Sequence, residues 1–134
     1  MTVPVAAPHA AALVTVLQTT GRPVGDGVAP AGSPPYSILW DLPGGALDGP
    51  VGDPNADLDM PFQVTCVGRV ADEARRMADK VRLVLLTSAV VVSGRSVMRV
   101  APDGGLGSVE RDDDTGGPPL WYCAPRFRLF TTPA

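Results

Sequence analysis

The run PFQVTCVGRVADEARRMADKVRLVLLT, residues 61–87, changes its hydrophobic period part-way, and that change decides the fold class. Phe62, Val64 and Cys66 alternate with Gln63, Thr65 and Val67, the period of two that a strand of strong β-formers shows. From Val70 onward the apolar positions Val70, Ala74, Met77, Val81, Val84 and Leu85 fall three and four apart, which is helical spacing. Asp72 and Glu73 stand in the first turn, where the helix dipole favours carboxylates, and Arg75, Arg76, Lys80 and Arg82 follow. The pairs Asp72 with Arg76 and Arg75 with Asp79 are spaced i,i+4, each contributing only about a few tenths of a kcal/mol. A strand at 61–67 therefore runs directly into a helix at 70–87.

Working upstream, Tyr36, Ile38 and Trp40 alternate with Ser37, Leu39 and Asp41, predicting a strand at 36–41. Residues 42–59 are rich in Gly, Pro and Asp and read as a long loop across which strands 36–41 and 61–67 pair antiparallel. Ahead of that, Ala10, Leu13, Val14 and Leu17 predict a helix at 8–19, ended by Gly21 and Pro23. Downstream, 96–101 reads as a strand with Met98 and Val100 facing inward, and Pro102 ends it. A second loop covers 102–119. Trp121, Cys123, Phe127 and Leu129 give a last strand at 121–130, with Pro125 placing it at a sheet edge or in a bulge. This order predicts one α+β domain, 1–134, with about four strands in a mostly antiparallel or mixed sheet and both helices on one face, instead of a doubly wound parallel sheet.

The bulk properties fit one core. At 134 residues the chain can bury about two-thirds of its unfolded surface, and 45% hydrophobic against 19% charged residues is a globular balance. The 15 Gly and 15 Pro put much of the length into turns. A net charge of −3 gives no general attraction to nucleic acid or to an anionic membrane, because phosphate binding needs clustered Lys and Arg. No run approaches the roughly 20 apolar residues of a membrane span, and the N-terminal stretch lacks the basic start of a secretory signal, so the expected compartment is the cytoplasm. Cys66 and Cys123 form no C-x-x-C pair; two thiols in a reducing compartment and a disulfide both stay open.

Chemistry is sparse. The lone histidine, His9, falls in a stretch expected to be mobile and has no nucleophile beside it in sequence. Asp103-Gly104-Gly105-Leu106-Gly107-Ser108 has the glycines of a phosphate cradle but no lysine, and reads as a turn. Asp53, Asn55, Asp57 and Asp59 alternate like the start of a calcium loop, yet Leu58 stands where glycine is needed and Val64 where a glutamate is needed. Asp112, Asp113 and Asp114 are consecutive, so in an extended segment they point to opposite faces and make a poor magnesium site. A pocket lined by Trp40, Phe62, Trp121 and Phe127 would suit a small enzyme or ligand-binding domain, but core positions explain these aromatics more simply. No catalytic residue, cofactor or metal is expected.

The segments Phe62-Gln63-Val64-Thr65-Cys66-Val67-Gly68, Ala78-Asp79-Lys80-Val81-Arg82 and Arg111-Asp112-Asp113-Asp114 ahead of Pro118-Pro119-Leu120-Trp121-Tyr122 together give the chain its resemblance to the tail terminators of long-tailed phages and prophages. That resemblance spans about 36–129 and implies a virion structural protein assembled in the bacterial host cytoplasm and located in the virion tail. It implies a homohexameric ring that caps the tail tube, contacts the major tail tube protein and a head-tail connector or neck protein, and lets genomic DNA through its bore without specific binding. A head-completion or neck adaptor protein is the alternative in the same virion. The acidic loops then become candidates for the ring interface or the channel wall: Asp53, Asp57, Asp59, Arg111, Asp112, Asp113 and Asp114.

Overall fold

The computed structural model describes residues 6–42, 45–47, 57–105 and 107–134. Helix α1 (Ala6–Gln18) and helix α2 (Ala71–Thr87) accompany eight strands: β1 (Val24–Asp26), β2 (Tyr36–Asp41), β3 (Gly45–Leu47), β4 (Asp57–Gly68), β5 (Arg95–Pro102), β6 (Glu110–Asp112), β7 (Leu120–Cys123) and β8 (Arg126–Pro133). The class is α+β, as the period change at 61–87 predicts, but among the described residues the sheet has eight strands where the sequence predicts about four.

Strand β4 organises the sheet. Its first half pairs antiparallel with β3 on one side and β8 on the other, and its second half with β2 and β7. β5 extends the sheet beyond β8, β6 extends it beyond β7, and β1 adds in parallel to β2. The antiparallel pairing of 36–41 with 61–67 is as expected, with Leu39 opposite Val64 and Ser37 opposite Cys66. Both helices cover one face of this sheet: Leu13 and Leu17 of α1 and Met77, Val81 and Leu85 of α2 share a core with Leu39, Phe62, Val64, Cys66, Phe127 and Leu129. On the other face Tyr36, Ile38 and Val67 make a smaller cluster.

Helix α1 is held by its Ala- and Leu-rich buried stripe and stops at Gly21, whose φ of +79° costs an L side chain strain but costs glycine little. His9 falls in α1, within the helix predicted at 8–19, but is not in a mobile stretch as expected: it is fully buried, its Nε2 2.8 Å from Thr131 Oγ1. Arg95 donates from Nε to the same hydroxyl, so a polar contact joins α1, β5 and β8 inside the core.

Helix α2 begins tight against the end of β4. A Cβ on Gly68 would stand 2.5 Å from the backbone nitrogen of Ala74, so only glycine lets the first turn close here. The residue before the helix, Val70, offers no side-chain cap. Glu73 supplies one from inside the turn: its Oε1 accepts from the Arg69 backbone N–H at 3.0 Å, and its carboxylate also pairs with the Arg69 guanidinium at 3.1 Å. These bonds, the guanidinium first, hold the Glu73 carboxyl below the usual carboxylate range. A depressed folded value means that this stabilisation is present above the unfolded carboxyl range and is lost as pH falls through the folded value. Glu73→Ala is therefore expected to cost about 0.5–1 kcal/mol at neutral pH, discounted for exposure. Urea denaturation should show that gap closing once the medium is acid enough to protonate Glu73 in the native protein.

Four sequence expectations need correction. The last strand, expected whole at 121–130, is broken by Ala124-Pro125 into β7 and β8, and it lies between β4 and the β5/β6 side, not at an edge. Pro125 contributes no N–H, but its carbonyl accepts from Val64 N at 3.0 Å, so the ladder continues across the break. Met98, expected inward, is 68% exposed because a bulge between Val97 and Arg99 inserts it as an extra residue. Val97 and Val100 are the inward positions. Finally, the two loops hold short strands: β3 lies within 42–59, which also ends inside β4, and β6 lies within 102–119.

Candidate assembly surface

Each lateral end of the sheet carries a strand with one partner. Among the described residues, β5 on one side pairs only with β8, and β1 on the opposite side pairs only with β2. An eight-residue edge such as β5 is a template for another chain unless its sequence blunts it. Here Arg95, Arg99, Pro102 and the bulge at Met98 interrupt a continuous ladder, while the bulge turns Met98 outward as an apolar knob. Arg99 is held in place over the Phe130 ring at 5.3 Å.

Beside this edge lies a groove of about 400 Å³ between the end of α2, the segment after it and β5. Leu86, Val90, Val97, Met98 and Val100 line it. Leu86 and Met98 are exposed, and Leu83 and Val91 add exposed apolar area on α2 and the following segment. Outward leucines on an otherwise charged helix, next to the β5 edge, are exposed apolar surface of the kind that marks interaction sites.

The predicted acidic residues divide into separate groups. Asp53 lies outside the described residues. Asp57 and Asp59 belong to β4, not to a loop, so the calcium-like spacing is carried by a strand. Asp59 is engaged: its Oδ2 accepts from Arg128 Nη1 at 2.7 Å, and Arg128 also reaches Asp103 at 3.3 Å. Arg111, Asp112, Asp113 and Asp114 cluster on and after β6, all exposed. Arg111 Nε pairs with Asp113 at 2.6 Å, and Asp112 Oδ1 accepts the Asp114 backbone N–H at 2.9 Å, which fixes the turn. Glu110 joins them, accepting from the Tyr122 hydroxyl at 2.8 Å, and this bond pushes the Tyr122 phenol above its ordinary value. Four carboxylates against one guanidinium leave this end of the molecule negative.

The aromatic pocket considered from the sequence does not form. Phe62 and Phe127 stack at 5.5 Å between ring centroids and are 0% and 1% exposed, so they are core. Trp40 is on the opposite face, with its indole N–H donating to Thr65 Oγ1 at 3.1 Å. What the sequence reading missed is the apolar groove beside β5, because the outward turn of Met98 depends on a bulge that no periodicity announces.

The geometry of the described residues thus defines an α+β sheet domain with helices on one face, a strand with a single partner at each lateral end and one acidic end. No family model matches the chain, and no curated protein matches it in sequence. In fold it is similar to a chain of a solved structure described as the virion of a native gene transfer agent particle, with a TM-score of 0.59 and 16% identity over 90% of this chain and 84% of that one. At that identity the likeness is one of fold.

Proposed function

We propose that this chain is a virion structural subunit, the tail terminator of a long-tailed phage or prophage, whose copies close into a hexameric ring on the end of the tail tube. The observation that carries the reading is the pair of open edges on opposite sides of one sheet, with an apolar groove beside one of them. A closed ring needs two different patches per subunit, and patches on opposite lateral sides are placed for head-to-tail contact. The β5 edge and groove of one copy receive the β1 side of the next. The likeness in fold to a chain of a virion particle supports the same class of protein, as does the resemblance of residues 62–68, 78–82 and 111–122 to tail terminators.

The acidic end fits a bore through which DNA passes. Glu110, Asp112, Asp113 and Asp114 repel phosphate, so a wall or rim that carries them does not retain the genome. Asp53 and Asp57 belong to the same proposed set, whereas Asp59 is partly neutralised by Arg128. The partners are other copies of the chain, the major tail tube protein and a neck or connector protein. Negative-stain images of the purified protein, alone and mixed with polymerised tail tubes, are expected to show rings or capped tube ends. Solitary particles in both samples would refute the ring, and binding to portal assemblies with bare tubes would favour the neck adaptor.

A further inference from the structure

Cys66 and Cys123 are the two cysteines of the chain, and the antiparallel register of β4 and β7 sets them directly opposite each other. Directly opposed residues in an antiparallel pair have Cα atoms about 4.5 or 5.5 Å apart, depending on the pair type, and both spacings lie within the range a disulfide spans. Both side chains point to the helix-covered face, and both cysteines are free thiols. Besides each other, the thiols meet weak acceptors, the Val64 carbonyl for Cys66 and the Ala74 carbonyl for Cys123, both at 3.7 Å.

The two are not equivalent. Both are buried, Cys66 fully and Cys123 to 3% exposure, but Cys123 lines a cleft of about 300 Å³ between α2 and the segment before β6, together with Arg75, Ala78, Asp79, Gly107 and Val109. The hydrogen bond between the thiols holds Cys123 below its ordinary value, with Arg75 helping and burial and Asp79 opposing, while the same contact and burial push Cys66 well up. That asymmetry is the one a reactive thiol and its resolving partner need: the sulfur on the cleft side is the more readily ionised, and the enclosed one holds its proton more tightly.

We propose that Cys66 and Cys123 are a redox-active dithiol, oxidised by small peroxides that enter the cleft beside Cys123 and converted to a cross-strand disulfide. The Cys123 thiolate attacks one peroxide oxygen, the O–O bond breaks, hydroxide leaves and Cys123 becomes a sulfenic acid. The Cys66 sulfur then displaces the sulfenic oxygen, and its proton leaves with that oxygen as water. The peroxide is reduced by two electrons and each sulfur is oxidised by one. The new bond ties β7 to β4, and because β6 pairs with β7, it also anchors the strand that carries the acidic end. This inference stands apart from the assembly reading and needs no partner.

The test uses the full folded chain exposed to hydrogen peroxide, then acid quench and intact mass without reductant. The wild type is expected to lose about two mass units and both free thiols, and a dithiol reductant should restore them. In Cys66→Ala, which buries no new hydroxyl, Cys123 should be captured as a sulfenic acid by a 1,3-dione probe. In Cys123→Ala, Cys66 should react at least about tenfold more slowly. Far-ultraviolet circular dichroism checks that each variant is folded. The proposal is overturned if the folded wild type keeps both thiols, if Cys66 reacts as fast without Cys123, or if the bond forms between molecules.

Discussion

Replacing Phe127 by alanine is expected to remove about 3–5 kcal/mol of folding stability. Phe127 is 1% exposed and stacks on Phe62 at an interplanar angle of 22°. The two rings face each other across the β4–β8 ladder, where Phe62 and Phe127 are register partners, so truncating one strips the other of its main contact. The cavity opens beneath both helices, at the point where the long strand changes partners from β8 to β7, and neighbouring elements cannot collapse into it without breaking that exchange. A domain of this size holds about 5–15 kcal/mol in total, so the variant should melt many degrees lower or fail to fold. Thermal and urea unfolding followed by far-ultraviolet circular dichroism measures it. Phe127→Leu, which keeps most of the volume, should recover more than half of the loss. A small loss for Phe127→Ala would mean that the two rings do not anchor the core.

How much of this was legible in the sequence depends on whether a residue's own pattern or its partner sets its conformation. Residues 61–87 could be read because a strand facing helices must alternate and an amphipathic helix must repeat every three or four residues, so the change of period is itself the signal. Strands β1, β3 and β6 were missed because each has three residues and is extended only by pairing with a neighbour. The Gly/Pro/Asp composition of 42–59 and 102–119 correctly marks turns, but it is silent about short pairings inserted between them. Met98 was misassigned because a bulge shifts the phase of alternation without altering composition. The candidate site shows the same division. That 111–114 is acidic and exposed follows from composition, whereas the capture of Asp59 by Arg128 depends on register between strands 69 positions apart in sequence. The facing of Cys66 and Cys123 is likewise a product of register alone, which is why their spacing in sequence leaves both a disulfide and two separate thiols open.

Placing a carboxylate on each side of the groove, as in Leu86→Asp combined with Met98→Asp, is expected to leave the monomer folded and to weaken ring closure by at least about a hundredfold. Both side chains are exposed in the single chain, so the charges are hydrated there and cost little. In the proposed ring the same positions would lie under the neighbouring copy, where an unpaired charge is removed from water without compensation. Because the bulge prevents β5 from offering an unbroken ladder, the contact depends on side chains, and altering two of them should suffice. Lys80→Glu on the exposed face of α2 changes the net charge by the same amount and serves as the control. Sedimentation velocity across a concentration series, with and without tail tubes, reads the effect directly. The control should assemble as the wild type does, while the double variant should sediment as a monomer. If the double variant still closes rings at wild-type concentrations, the groove beside β5 is not the contact, and the subunits must meet through another surface.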